Sequence, residues 1–264
     1  EIYGVGMVSS PRKPLFLAPT TAGTGSEVTP VAIITTGETT KAGVSSPVLL
    51  PDVAILDAAL TVGLPAHITA MTGIDAMVHA IEAFTSKIKK NPISDMLALR
   101  ALKLLSENIR TVLTSPEDRT AREAMLLGSM FAGQAFANAP VGAVHALAYP
   151  VGGHYHIPHG LSNSLMLPAV LKFNAKACPE LYAELAAVLP GAEHSALGLI
   201  DWFKRLITES GLPSTLEQAN IPESDLPMLA SDAMFQQRLL INNPREVDEP
   251  TALQLYREAW RGWA

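Results

Sequence analysis

The sequence predicts a partial α/β unit over residues 1–62 followed by an all-helical domain over residues 63–264. Two observations carry this. The first 62 residues are rich in β-branched residues, Gly, Pro and Thr with short apolar runs, whereas from Pro65 onward apolar positions recur at helical spacing over long stretches. Of the 264 residues, 48% are hydrophobic and 17% charged, which supplies a sizeable core and too little charge for a disordered chain.

In chain order, Leu15-Phe16-Leu17-Ala18, closed by Pro19, reads as a short buried strand. Val31 to Thr35 reads as a second strand ending in a turn at Gly37-Glu38, and Val53 to Asp57 as a third. Three strands with no long helix between them are the tail of a nucleotide-binding sheet rather than a whole one. Asn91-Pro92 combines a side-chain cap with a first-turn proline and opens a helix to about Thr114. Ser115-Pro116-Glu117-Asp118 repeats that start signal. Gly211 and Pro213 end a helix running from about Ser195, and a last helix spans Thr251 to Trp260. The opening Glu1-Ile2-Tyr3-Gly4 has neither methionine nor a leader pattern, so a partial chain is expected.

A formal charge of -6 argues against general affinity for nucleic acid or an anionic membrane, and no apolar run reaches membrane-spanning length. The single cysteine, Cys178, cannot form an internal disulfide or a thiolate metal site by itself. A cytoplasmic setting is expected, and any metal must rest on nitrogen and oxygen donors.

In Gly73-Ile74-Asp75-Ala76-Met77-Val78-His79-Ala80-Ile81-Glu82, Asp75 and His79 lie four apart and share a helix face. Their neighbours are apolar, so a carboxylate and an imidazole are buried together and need either each other or a cation. Residues 141–160, VGAVHALAYPVGGHYHIPHG, add four histidines. His145 lies in an apolar helix ended by Pro150, Gly152 and Gly153, and His159 opens the next helix. That turn can bring both rings to the Asp75–His79 face, an Asp-plus-three-His set suited to Fe(II) or Zn(II). His154 and His156 lie on the turn and read as exposed or substrate-facing, with solvated loop residues the favoured reading. Glu82 continues the ligand face and is either a partner behind a ligand or a surface glutamate. The segment Ala18 to Thr29, rich in Gly, Thr and Ser after a strand, offers backbone N–H groups and hydroxyls to a diphosphate or ribose, although it is neither a Walker loop nor a G-x-G-x-x-G fingerprint.

The TTAGTGSEVT segment, the GIDAMVHAIE segment and the H-x13-H pair ending in PHG together resemble the iron-containing alcohol dehydrogenases, and the similarity runs through essentially the whole chain. The resemblance implies that residues 1–62 are the C-terminal part of a dinucleotide-binding α/β domain and residues 63–264 an all-α metal-binding domain. It implies that Asp75, His79, His145 and His159 bind iron, or in some members zinc. It implies that Thr20, Thr21, Gly23 and Thr24 line NAD or NADP, that Lys41 lies near its phosphates or ribose, and that Leu60, Thr61 and Leu64 lie by its adenosine or nicotinamide portion. The implied reaction is hydride transfer between that cofactor and a small alcohol or aldehyde, in a protein that commonly self-associates. The family's glycine-rich GGGS segment is absent. Tyr149 stands where many members have a further histidine; it either hydrogen-bonds substrate and relays a proton, or only shapes the pocket. A metal-dependent lyase of the dehydroquinate synthase-like type and a catalytically inactive fragment are the alternatives.

Overall fold

The computed structural model describes residues 2–8, 10–37 and 41–262, and the side chains of Thr35 and Lys41 lie outside the described part, as does Glu38 of the expected turn. Two small sheets open the chain. β1 (Gly4–Val5) runs parallel to β4 (Lys41–Ser45), which pairs antiparallel with β3 (Val31–Thr35) in the register Val31↔Ser45 to Thr35↔Lys41. β2 (Phe16–Leu17) pairs parallel with β5 (Val53–Ala54). The expected strands are therefore present, but the first and third are trimmed to two residues, the first is not buried as expected because Phe16 lies exposed, and β1 and β4 join them. Ser46 caps a short turn after β4, and Arg12 ties the preceding loop to Asp52 through its guanidinium.

Ten α-helices follow among the described residues: α1 (Ala66–Thr85), α2 (Pro92–Thr114), α3 (Arg119–Asn138), α4 (Ala143–Tyr155), α5 (His159–Asn174), α6 (Pro179–Ala186), α7 (Ala196–Glu209), α8 (Leu226–Ala233), α9 (Gln237–Leu240) and α10 (Glu249–Arg261). None is long and apolar enough to cross a membrane. α1 is buried from Thr69 to Thr85 apart from Thr72, because it is apolar almost all round, and α2, α3 and α5 pack against it. The Asn91 cap is as expected: its Oδ1 accepts from the Ile93 and Ser94 amides while Ser94 Oγ accepts from the Asn91 amide, an arrangement that stabilises a helix start by about 1 kcal/mol. α7 also starts and ends where expected, with Ser195 as its cap.

Two expectations need correction. Ser115-Pro116-Glu117-Asp118 is a turn, and Asp118, not Ser115, caps α3 by accepting from the Ala121 amide. α4 does not stop at Pro150 but runs through it to Tyr155. Proline disturbs the carbonyls of the preceding turn. Here the Tyr256 hydroxyl of α10 donates to the Leu147 carbonyl at 2.6 Å, so that group is satisfied from outside the helix. The chain reverses only at His156, in the left-handed conformation, and Pro158 leads into α5.

Candidate metal centre

α1, α4 and α5 meet where the four predicted ligands converge. One donor atom from each of Asp75, His79, His145 and His159 lies within 4.8 Å of the others. The approach depends on Gly160: a Cβ there would sit 2.3 Å from the Met71 carbonyl oxygen, so only glycine lets the start of α5 touch α1. Asp75 and His79 project from one face of α1, as their spacing requires. His145 comes from the first turn of α4 and His159 is the first residue of α5. Asp75 Oδ1 lies 3.8 Å from His145 Nε2 and 3.7 Å from His159 Nε2. The His79 and His145 rings stack at 4.7 Å, and Phe136 closes the other face of His79 at 4.5 Å.

Glu82 is buried and lies behind a ligand rather than at the surface. Its Oε2 accepts from His145 Nδ1 at 2.6 Å and its Oε1 from the Val144 amide at 2.7 Å. That pair fixes the hydrogen of His145 on Nδ1 and turns the Nε2 lone pair toward the cluster. Burial pushes the Asp75 carboxyl up, but the three facing imidazoles and the Asn163 amide outweigh it and hold the group below the ordinary carboxylate range. Burial depresses His79 from 6.5 to about 3, more than the Asp75 charge can restore. A neutral imidazole beside an ionised carboxylate is the protonation state that a divalent cation requires. The buried His79 Nδ1 makes no hydrogen bond of normal geometry. A cluster of three imidazoles and one carboxylate, with nitrogen and oxygen donors and no sulfur, fits Fe(II) or Zn(II).

The centre is closed on the α1 side and open on the α5 side, where the His159 side chain is 36% exposed. Tyr149, one turn beyond His145 on α4, lies with its ring 5.7 Å from that of His159. Burial raises its phenol above the usual value, against the pull of Arg238, whose guanidinium carbon sits 5.9 Å from the ring. A cavity of about 370 Å³ opens at Tyr149 and is bounded by Arg238, Asp232, Phe235 and the β3–β4 hairpin at Ile33 and Gly43. His154 borders it too. It is not a solvated loop residue: it lies on α4, and its Nε2 pairs with Asp232 of α8 at 2.5 Å. His156 is exposed, as expected.

The Thr/Gly segment lies against α1 and α3. Gly23 abuts α1, where a Cβ would meet Thr72 at 2.7 Å, and Gly25 abuts α3, where a Cβ would meet the Gly133 Cα at 2.6 Å. Gly25 also has φ of 57°, which favours glycine. Thr20 and Thr24 are exposed and Thr21 half-buried. Thr24 Oγ1 accepts from the Ser26 amide and sets the loop. Leu60 is exposed, Leu64 half-buried, and the Thr61 hydroxyl turns inward to the Ala58 carbonyl. Lys41 opens β4, and its side chain is not among the described atoms. Sequence reasoning missed Asn163, whose amide touches three ligands, although it stands four residues after His159 in the same spacing as Asp75 and His79.

A family model described as the Fe-containing alcohol dehydrogenase family, C-terminal, matches residues 69–260, and one described as iron-containing alcohol dehydrogenase matches residues 2–58. The chain is 42% identical over 268 residues to long-chain-alcohol dehydrogenase 1 of Geobacillus thermodenitrificans, covering 99% of this chain and 67% of that protein. A crystal structure of a 1,3-propanediol oxidoreductase superposes with a TM-score of 0.93 at 36% identity, covering 98% of this chain and 69% of the other. A sulfoacetaldehyde reductase from Bifidobacterium kashiwanohense, solved in complex with NAD+, superposes with a TM-score of 0.84 at 33% identity, covering 93% and 64%. The chain thus spans about two thirds of the length of each of these proteins.

Proposed function

This chain belongs to the iron-containing alcohol dehydrogenase family, an oxidoreductase family, and from that premise we propose that it transfers a hydride between NAD and a primary alcohol or its aldehyde at the Asp75–His79–His145–His159 centre. The observation that carries this is the convergence of the four donor atoms within 4.8 Å, with Glu82 behind one of them. Iron is the metal that the family brings and that this donor set suits. Bound there, the metal supplies a Lewis acid for the substrate oxygen, and the nicotinamide supplies the hydride acceptor or donor.

The residues of the chain do the rest. Asp75 and the three imidazoles hold the charge, Glu82 orients His145, and Phe136 keeps water from the closed side. Tyr149 stays a phenol at neutral pH, so its role is to donate a hydrogen bond at the open side and shape the pocket rather than to act as a base. Thr20, Thr21, Gly23 and Thr24 offer hydroxyls and backbone to the dinucleotide, with Lys41, Leu60, Thr61 and Leu64 further along it. In this reading residues 1–62 are the C-terminal part of the dinucleotide-binding domain and residues 63–264 the metal-binding domain. A cytoplasmic homo-oligomer also belongs to the reading. It is supported by family membership. The relatives described above are dehydrogenases, oxidoreductases and reductases, and no observation favours the lyase alternative.

Asp75→Ala and His145→Ala test the site. Each is expected to weaken iron or zinc binding by on the order of 100-fold or more while the fold persists by circular dichroism. Stoichiometric metal in either purified variant would refute the ligand assignment. Change in reduced-nicotinamide absorbance with a panel of primary alcohols and aldehydes tests the reaction, and a metal-loaded protein that changes none of them would count against it.

A further inference from the structure

Asn163 lies on α5 one turn after His159 and is fully buried. Its Nδ2 sits 2.5 Å from Asp75 Oδ1, 3.1 Å from His145 Nε2 and 3.3 Å from His159 Nε2. A primary amide has two hydrogens and here faces three acceptors. Its Oδ1 is buried with no hydrogen-bond partner. An amide so placed is half wasted: its donor end is oversubscribed and its acceptor end is unsatisfied, which is unfavourable for a buried group. The oxygen and nitrogen of a carboxamide are nearly the same size, so a half-turn of the group exchanges them with almost no change in packing. Without a positive charge nearby, that half-turn would aim an oxygen at a carboxylate and two imidazole lone pairs. A divalent cation among the same atoms reverses the preference, because it repels the N–H group and attracts the oxygen.

We propose that Asn163 is a fifth member of the metal centre: its carboxamide turns over when the cation binds and presents Oδ1 to it. The inference rests on the four-ligand reading above and adds an oxygen donor that the Asp-plus-three-His set does not contain. In the metal-free chain, the N–H group holds Asp75, His145 and His159 together so that the ligands are already gathered. Asn163 thereby acts both as a placeholder and as a donor.

Cobalt(II) titrated into the full chain is the test, read by its visible d–d absorption and by calorimetry. Asn163→Leu keeps the volume and removes both polar atoms. It is expected to lower cobalt affinity by about 10–100-fold and to intensify the absorption, as loss of one donor does. Asn163→Asp keeps an oxygen in place and is expected to retain the wild-type band shape and bind at least as tightly. The proposal is overturned if N163L matches the wild type in both spectrum and affinity, or if N163D loses as much affinity as N163L. Should N163L not fold, N163D decides alone, since a retained band shape supports the oxygen donor and a lost one refutes it. A wild-type chain that binds no cobalt at all would instead sink the four-ligand reading itself.

Discussion

At the junction of α1, α4 and α5, chemistry is presented by side chains that are themselves buried; along residues 18–29 it is presented by backbone and by hydroxyls at the surface. The metal centre is assembled from three helices whose spacing is held by packing, and Asp75, His79, His145 and Glu82 are each nearly inaccessible. Such a site is stiff, and each polar group in it must find a partner or a cation. The Thr/Gly segment has the opposite construction. Its glycines press on α1 and α3, while Thr20 and Thr24 face outward, where a ligand's phosphates can meet them. Under the proposed function, the contrast suits two ligands of different kind: an ion that needs several convergent donors, and an extended dinucleotide that needs a smooth wall.

Four changes put that contrast to the test. Gly160→Ala acts on the metal side only. Its Cβ would meet backbone at Met71 and force α5 away from α1, so we expect a loss of about 3 kcal/mol in stability and a collapse of metal affinity, read by urea unfolding and calorimetry. Unchanged metal binding would show that the close approach of the two helices does not position His159. Gly25→Ala acts on the other side. It meets the Gly133 backbone and must hold a left-handed φ, which we expect to cost about 2 kcal/mol and to weaken dinucleotide binding while leaving metal affinity within about twofold. Equal losses in both affinities would mean that the two regions are one unit.

Glu82→Gln keeps the shape but weakens the grip on His145. Metal affinity is expected to fall by about 10-fold with little change in unfolding midpoint, and a drop of less than twofold would mean that the Glu82–His145 pair does not tune the ligand. A further effect is on pH. His79 is depressed from 6.5 to about 3 in the folded chain, so between those values the unfolded chain binds more protons. The stability it contributes is complete above pH 6.5 and is lost as pH falls toward 3, at no more than about 1.4 kcal/mol per unit. The urea midpoint of metal-free protein should therefore fall between pH 7 and 5, and His79→Gln should flatten that slope. A slope identical in the variant would assign the effect to another group.

The helical part was legible in the sequence because its signals are local. The Asn91-Pro92 start, the Ser195 cap and the four-residue spacing of Asp75 and His79 are each contained within a turn or two, and each is found in the structure. Where the structure departs from the sequence reading, a distant partner is responsible. α4 runs through Pro150 in a stretch braced by Tyr256, over 100 residues away, which donates to the Leu147 carbonyl. His154 stays half-buried and pairs with Asp232, 78 residues on. β2 and β5 are two residues long and exist only by pairing with each other, so no periodicity marks their limits. β4 has no apolar alternation and is defined by its pairing with β3 and β1. Asn163 carried a faint local signal, a polar residue one turn after a ligand in an apolar stretch, but its role is visible only when the three other helical positions are brought to it.

X-ray absorption at the iron K-edge of the metal-loaded chain reads out the donors around the ion. We predict scattering from three imidazole rings together with oxygen donors, all at roughly 2.0–2.2 Å. A spectrum with fewer than two imidazoles, or one dominated by sulfur, would contradict the convergence of Asp75, His79, His145 and His159 on one ion.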